Sequence, residues 1–106
     1  MPYDATQVVA YVHQAHSTTL LSEREKQLIG LAVTMTRGCQ VCTRGRIEKA
    51  RASGIDDNVL NALVNVVSSV NAGVSAATAR EAFLMADARA EKEECSDLCA
   101  ADGRKA

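Results

Sequence analysis

"SEREKQLIGLAVTMTRGCQVCTRGRIEKARASG", residues 22–54, carries the punctuation that decides the fold. Ser22 followed by Glu25 has the form of a capping box, in which the serine caps a helix start and the glutamate three positions later reaches back. Leu28, Leu31, Ala32 and Met35 then recur at spacings of three and four, as one face of a helix requires. Gly38 interrupts that pattern directly before Cys39. A further helical segment runs on from Cys39 to Gly54, a residue suited to a left-handed stop.

The flanking segments have the same character. Asp4 with Gln7 fits a cap opening "ATQVVAYVHQAH", and Asp56 is placed to cap "DNVLNALVNVVSSVNA". Leu60, Leu63, Val64, Val67 and Val70 share a helical face in that segment, which is expected to end around Gly73. Ser75 would then open a last helix, "AATAREAFLMADARAEKEE", with Ala79, Ala82, Phe83 and Ala86 as a narrow buried stripe. The single proline is Pro2, and no run alternates as a strand would. The expectation is an all-α domain of about five helices over residues 1–92. A polar tail over 93–106 follows it.

At 106 residues the chain has room for one domain. Its 47% hydrophobic and 24% charged content is that of an ordinary soluble globular protein, and a net charge of -1 gives no basic excess for nucleic acid. The apolar residues are mostly Ala, Val and Leu, with two Tyr, one Phe and no Trp. Such a core has few large anchors, so a homo-oligomer is expected. The N-terminus lacks the basic, apolar and small-residue regions of a secretory signal, and there is no uninterrupted apolar run of about 18 residues. The expected address is therefore the cytoplasm, without a membrane span. Thiols are kept reduced there, and a close cysteine pair points to catalysis, redox chemistry or metal rather than a staple.

On a helix beginning near Cys39, the side chains of Cys39, Cys42 and Arg46 lie roughly on one face. A thiol at a helix N-terminus sits beside unpaired backbone N–H groups, which favour thiolate, and Arg46, Arg37 and Arg44 push the same way. Three readings compete at this level: a redox dithiol, buried core cysteines, and a metal site. Zinc would need further ligands from Cys95, Cys99, His13 or His16, and the spacing of Cys95 and Cys99 is not that of a zinc knuckle.

Taken over residues 21–67, the helix before the cysteines, the Cys-x-x-Cys pair and "ARASG" at 50–54 resemble the carboxymuconolactone decarboxylase and alkylhydroperoxidase-like (AhpD-like) group. The resemblance covers about residues 20 to 85. It implies an all-helical fold, assembly into trimers or hexamers and, in members with the dithiol, thiol-dependent peroxidase or disulfide reductase activity. It implies a peroxide or disulfide substrate and a protein dithiol as electron donor, with no cofactor. Carried over by position, Cys42 is the attacking thiol and Cys39 the resolving one. Lactone decarboxylation is disfavoured, because decarboxylases of the group are distinguished by other residues and generally lack the dithiol.

Two positions depart from the group's pattern. Dithiol members use a glutamate on the preceding helix and a histidine four after the second cysteine as a proton relay. Here those positions hold Gln27 and Arg46. Arginine stays charged and cannot collect a thiol proton, while glutamine only hydrogen-bonds. Gln27 and Arg46 would form a donor–acceptor pair that needs no proton transfer. General acid–base catalysis contributes about 10²–10⁴-fold, so a protein without the relay would be a slow peroxidase yet a competent disulfide exchanger. A non-catalytic redox sensor or scaffold on the same fold is the alternative.

The remaining candidates are auxiliary. Cys95 and Cys99 read as idle thiols, a shuttle pair or metal ligands. His13 and His16, near the end of the first helix, read as dipole or solvent contacts, or as a spatial replacement for the missing relay histidine.

Overall fold

The computed structural model describes residues 2–92, and the described chain is helical. Its elements are α1 (Thr6–His16), α2 (Glu23–Arg37), α3 (Gln40–Ala52) and α4 (Asp57–Lys92). The chain divides into two compact units, one reaching to Val67 and the other beginning at Ser68.

The first unit follows the local signals closely. Ser22 accepts from the Glu25 N–H at 3.0 Å, and the Ser22 N–H donates to Glu25 Oε1 at 2.7 Å, completing the capping box. Gly38 ends α2 with φ +80°, donating its N–H to the Thr34 and Met35 carbonyls. Gly54, at φ +90°, turns the chain after α3. Asp56 accepts from the Asn58 N–H at 2.7 Å at the head of α4. The expected Asp4–Gln7 cap is replaced by a tighter turn, in which Asp4 accepts from both the backbone and hydroxyl of Thr6. These two bonds hold the exposed Asp4 carboxyl below its usual pKa.

Leu31, Ala50, Ile55 and Leu60 are the buried core, so α2, α3, the turn after Gly54 and the first turn of α4 meet there. Leu28, Met35, Ile47, Val59 and Leu63 pack around them. Arg51 closes the α3–α4 connection on Asp57, with Nε to Oδ1 at 2.9 Å and the second guanidinium nitrogen to Oδ2 at 3.2 Å. Asp57 raises the Arg51 pKa by this hydrogen bond and by its charge.

Two expectations need correction. Among the described residues there are four helices, because α4 runs through Gly73 without a break. A glycine in a helix interior costs about 1 kcal/mol against alanine but does not force a stop, and here it lacks the positive φ of Gly38 and Gly54. The stripe of Ala79, Ala82, Phe83 and Ala86 is exposed rather than buried, Phe83 by 72%. Its spacing is helical, but spacing specifies a face and not what covers it.

The same helix holds an 18-residue window of mean hydropathy 1.4, long and apolar enough by length and composition to cross a membrane. Asn61, Asn65, Ser68 and Asn71 punctuate it at helical spacing, which is why a search for uninterrupted apolar runs passes over it.

A dithiol between two cavities

Cys39 is the N-cap of α3, placed there by the left-handed turn at Gly38. Its sulfur accepts from the Cys42 N–H at 3.2 Å, so it occupies the position that a serine or aspartate oxygen usually takes at a helix start. Cys39 and Cys42 are joined as a disulfide, with Cα atoms 5.4 Å apart. Thr43 anchors this first turn to α2: its hydroxyl lies 2.7 Å from the Cys39 carbonyl and 3.1 Å from Thr34 Oγ1. Cys42 is exposed and Cys39 half-buried.

The two sulfurs border different hollows. Cys39 lines one of about 650 Å³ with Met35, Thr43, Arg44, Ile47 and Glu48. Cys42 lines another of about 700 Å³ with His13, His16, Gln27, Arg46 and Lys49. Cys42, Arg46, Gln27 and both histidines, all singled out from the sequence, therefore meet in one cavity. Cys39 borders the other. Cys95 and Cys99 lie outside the described residues. Among the described residues, no three His, Cys, Asp or Glu side chains cluster as a metal site would require.

Gln27 and Arg46 share the cavity but have different neighbours. The Ser53 hydroxyl donates to Gln27 Oε1 at 2.9 Å, tying α2 to the end of α3. The Arg46 guanidinium instead lies over the α2 backbone at Gly30, where an added β-carbon would stand 2.7 Å from Arg46 Cζ. Gly30 is thus a cradle for Arg46. The sequence contained one indication of it, a mid-helix glycine with no turn to make.

His16 Nδ1 lies 2.8 Å from the Val12 carbonyl, which only accepts. In the neutral ring the proton is therefore on Nδ1, leaving Nε2 as an acceptor. Lys26 fixes the end of α1 from below, its Nζ 2.6 Å from the His16 carbonyl and 3.1 Å from Glu23 Oε1. Its side chain is only 10% exposed. This half-buried lysine ties the end of α1, which carries the histidines, to α2 at the cavity wall, and the sequence reading missed it.

An exposed sulfur at a helix start, with its partner sulfur capped by a backbone N–H, is suited to thiol–disulfide exchange. The chain matches no curated protein and no solved structure. The family model described as "Carboxymuconolactone decarboxylase family" matches residues 5–85, a span that takes in all of α1 to α3 and most of α4, and the chain belongs to that family.

Proposed function

We propose that this protein is an alkylhydroperoxidase-like thiol–disulfide oxidoreductase whose Cys39–Cys42 pair cycles between dithiol and disulfide. The observation that carries the reading is the division of labour between the sulfurs: Cys42 is exposed beside Arg46, and Cys39 is capped by the Cys42 N–H. In the reductive half-reaction a donor thiolate attacks the accessible Cys42 sulfur. The Cys39–Cys42 bond breaks and Cys39 leaves as a thiolate held by the helix start. The second thiolate of a dithiol donor then attacks the donor sulfur of the mixed disulfide, releasing Cys42 as a thiolate and the donor as a disulfide. In the oxidative half-reaction the Cys42 thiolate, favoured by Arg46, attacks the substrate, and Cys39 resolves the resulting mixed species. The relay glutamate and histidine are absent from positions 27 and 46, so exchange is favoured over peroxide reduction.

A homo-oligomer is part of this reading. Leu28, Ile29, Ala32, Val59, Leu63 and Val67 border a wholly apolar hollow of about 430 Å³ in the first unit. A core of four buried side chains is small for an independent domain, and a second copy on this face would enlarge it.

The deciding experiment is the reduction potential of Cys39/Cys42 in a Cys95→Ala, Cys99→Ala background, read by mass-resolved alkylation after equilibration with dithiothreitol. A reversible two-electron couple in the range of about -180 to -270 mV is expected. If no intramolecular disulfide forms at any poise, the redox reading fails. Reversible oxidation without turnover of any dithiol donor would instead favour a sensor.

A further inference from the structure

The two cavities differ in charge. On the Cys39 side the lining holds one cation and one anion, Arg44 and Glu48, and the further cation, Arg51, is paired with Asp57. On the Cys42 side the one carboxylate is Glu23, paired with Lys26 at 3.1 Å. Arg46 and Lys49 are left, and among the described residues no carboxylate pairs with either. His13 and His16 add no negative charge. The wall around Cys42 therefore carries two uncompensated cations, while the wall around Cys39 is balanced.

We infer that the Cys42 cavity selects a small disulfide bearing carboxylates, with Arg46 and Lys49 receiving the carboxylates. The inference rests on the exchange reading above and names its substrate class. The volume of about 700 Å³ is that of a small-molecule site. A one-signed cleft concentrates ligands of the opposite sign, and the guanidinium fork of Arg46 matches carboxylate geometry. In the reaction the Cys42 thiolate attacks one sulfur of the disulfide RSSR. The substrate S–S bond breaks, one RS⁻ leaves and takes a proton from solvent, and a Cys42–S–S–R bond forms. The Cys39 thiolate then attacks the Cys42 sulfur, expelling the second RS⁻, which is also protonated by solvent. The dithiol is oxidised by two electrons and RSSR is reduced by two to 2 RSH.

The test uses the pre-reduced full-length chain carrying Cys95→Ala and Cys99→Ala, so that one dithiol reports. Its rates are measured with 3,3′-dithiodipropionate, bis(2-hydroxyethyl) disulfide and cystamine, which are anionic, neutral and cationic. Each rate is divided by that of the same disulfide with 2-mercaptoethanol, removing intrinsic reactivity. The expected order is anionic, neutral, cationic, with about tenfold between the extremes at low salt. Lys49→Gln should narrow that spread, and salt at about 0.5 M should compress it because the screening length falls to a few ångströms. Equal normalised rates for the three probes, with the Cys39–Cys42 disulfide still forming, would overturn the charge selection and leave the exchange reading standing. No reaction with any probe would overturn both.

Discussion

The Arg46 guanidinium occupies the space that a side chain at Gly30 would need, with Arg46 Cζ 2.7 Å from where that β-carbon would stand. A glycine inside α2 costs about 1 kcal/mol in helix propensity against alanine, and what it gains is a place for this cation beside the dithiol. Gly30→Ala should therefore leave thermal stability equal or slightly raised, because the displaced atoms are the far end of a flexible side chain. It should move Arg46 away from Cys42. Alkylation of Cys42 at neutral pH is expected to slow roughly twofold to tenfold, as in Arg46→Met. An unchanged alkylation-versus-pH profile in both variants would remove Arg46 from thiolate stabilisation.

The roles of the two sulfurs separate in single-cysteine variants. Cys39→Ser retains the exposed Cys42 and should accumulate a mixed disulfide with substrate, visible by intact mass, which does not resolve. Cys42→Ser leaves the half-buried Cys39 and should form that adduct roughly tenfold more slowly, because attack requires access to the sulfur. Faster adduct formation in Cys42→Ser would reverse the assignment.

Much of the first unit was legible because its signals are local. Ser22 with Glu25, Gly38, Gly54 and Asp56 each act within one turn of chain, and each does what its residue type dictates. Gly73 misled because a glycine at the end of an apolar face looks like a stop, whereas only its φ distinguishes a stop from a tolerated interior residue. The dithiol was legible from spacing. Its setting was not: Gly30 under Arg46, Ser53 on Gln27 and Lys26 under His16 are contacts between helices. No periodicity records them.

The capping box gives a direct stability prediction. Ser22→Ala removes the acceptor for the Glu25 N–H and should cost about 1 kcal/mol. For a chain of this size that lowers the midpoint of thermal unfolding by roughly 4–8 °C, measurable by circular dichroism. Ser22→Asp should preserve most of the stability. A loss equal to that of alanine would mean that the cap is not formed in solution.

Leu31 is the most buried side chain described, 1% exposed, at the junction of α2 with Ala50, Ile55 and Leu60. Leu31→Ala should cost about 2–5 kcal/mol, most of the stability of a marginal domain. Urea unfolding is expected to lose much of its folded baseline. A cost below about 1 kcal/mol would show that this small core contributes less than its burial indicates.

The apolar face of the first unit permits a last prediction. Ile29 is 50% exposed and borders the hollow formed with Val59 and Leu63, where no polar group contributes to the lining. In an isolated chain a charge at such a half-exposed position is nearly neutral, since it remains hydrated. In an interface the same charge is buried without a partner and costs several kcal/mol per copy. Ile29→Glu should therefore shift the protein to a smaller species by light scattering and lower its thermal midpoint, and the wild-type midpoint should rise with protein concentration. If Ile29→Glu leaves both mass and midpoint unchanged, this face is not where copies meet, and the exposed Phe83 stripe of the second unit becomes the next site to test in the same way.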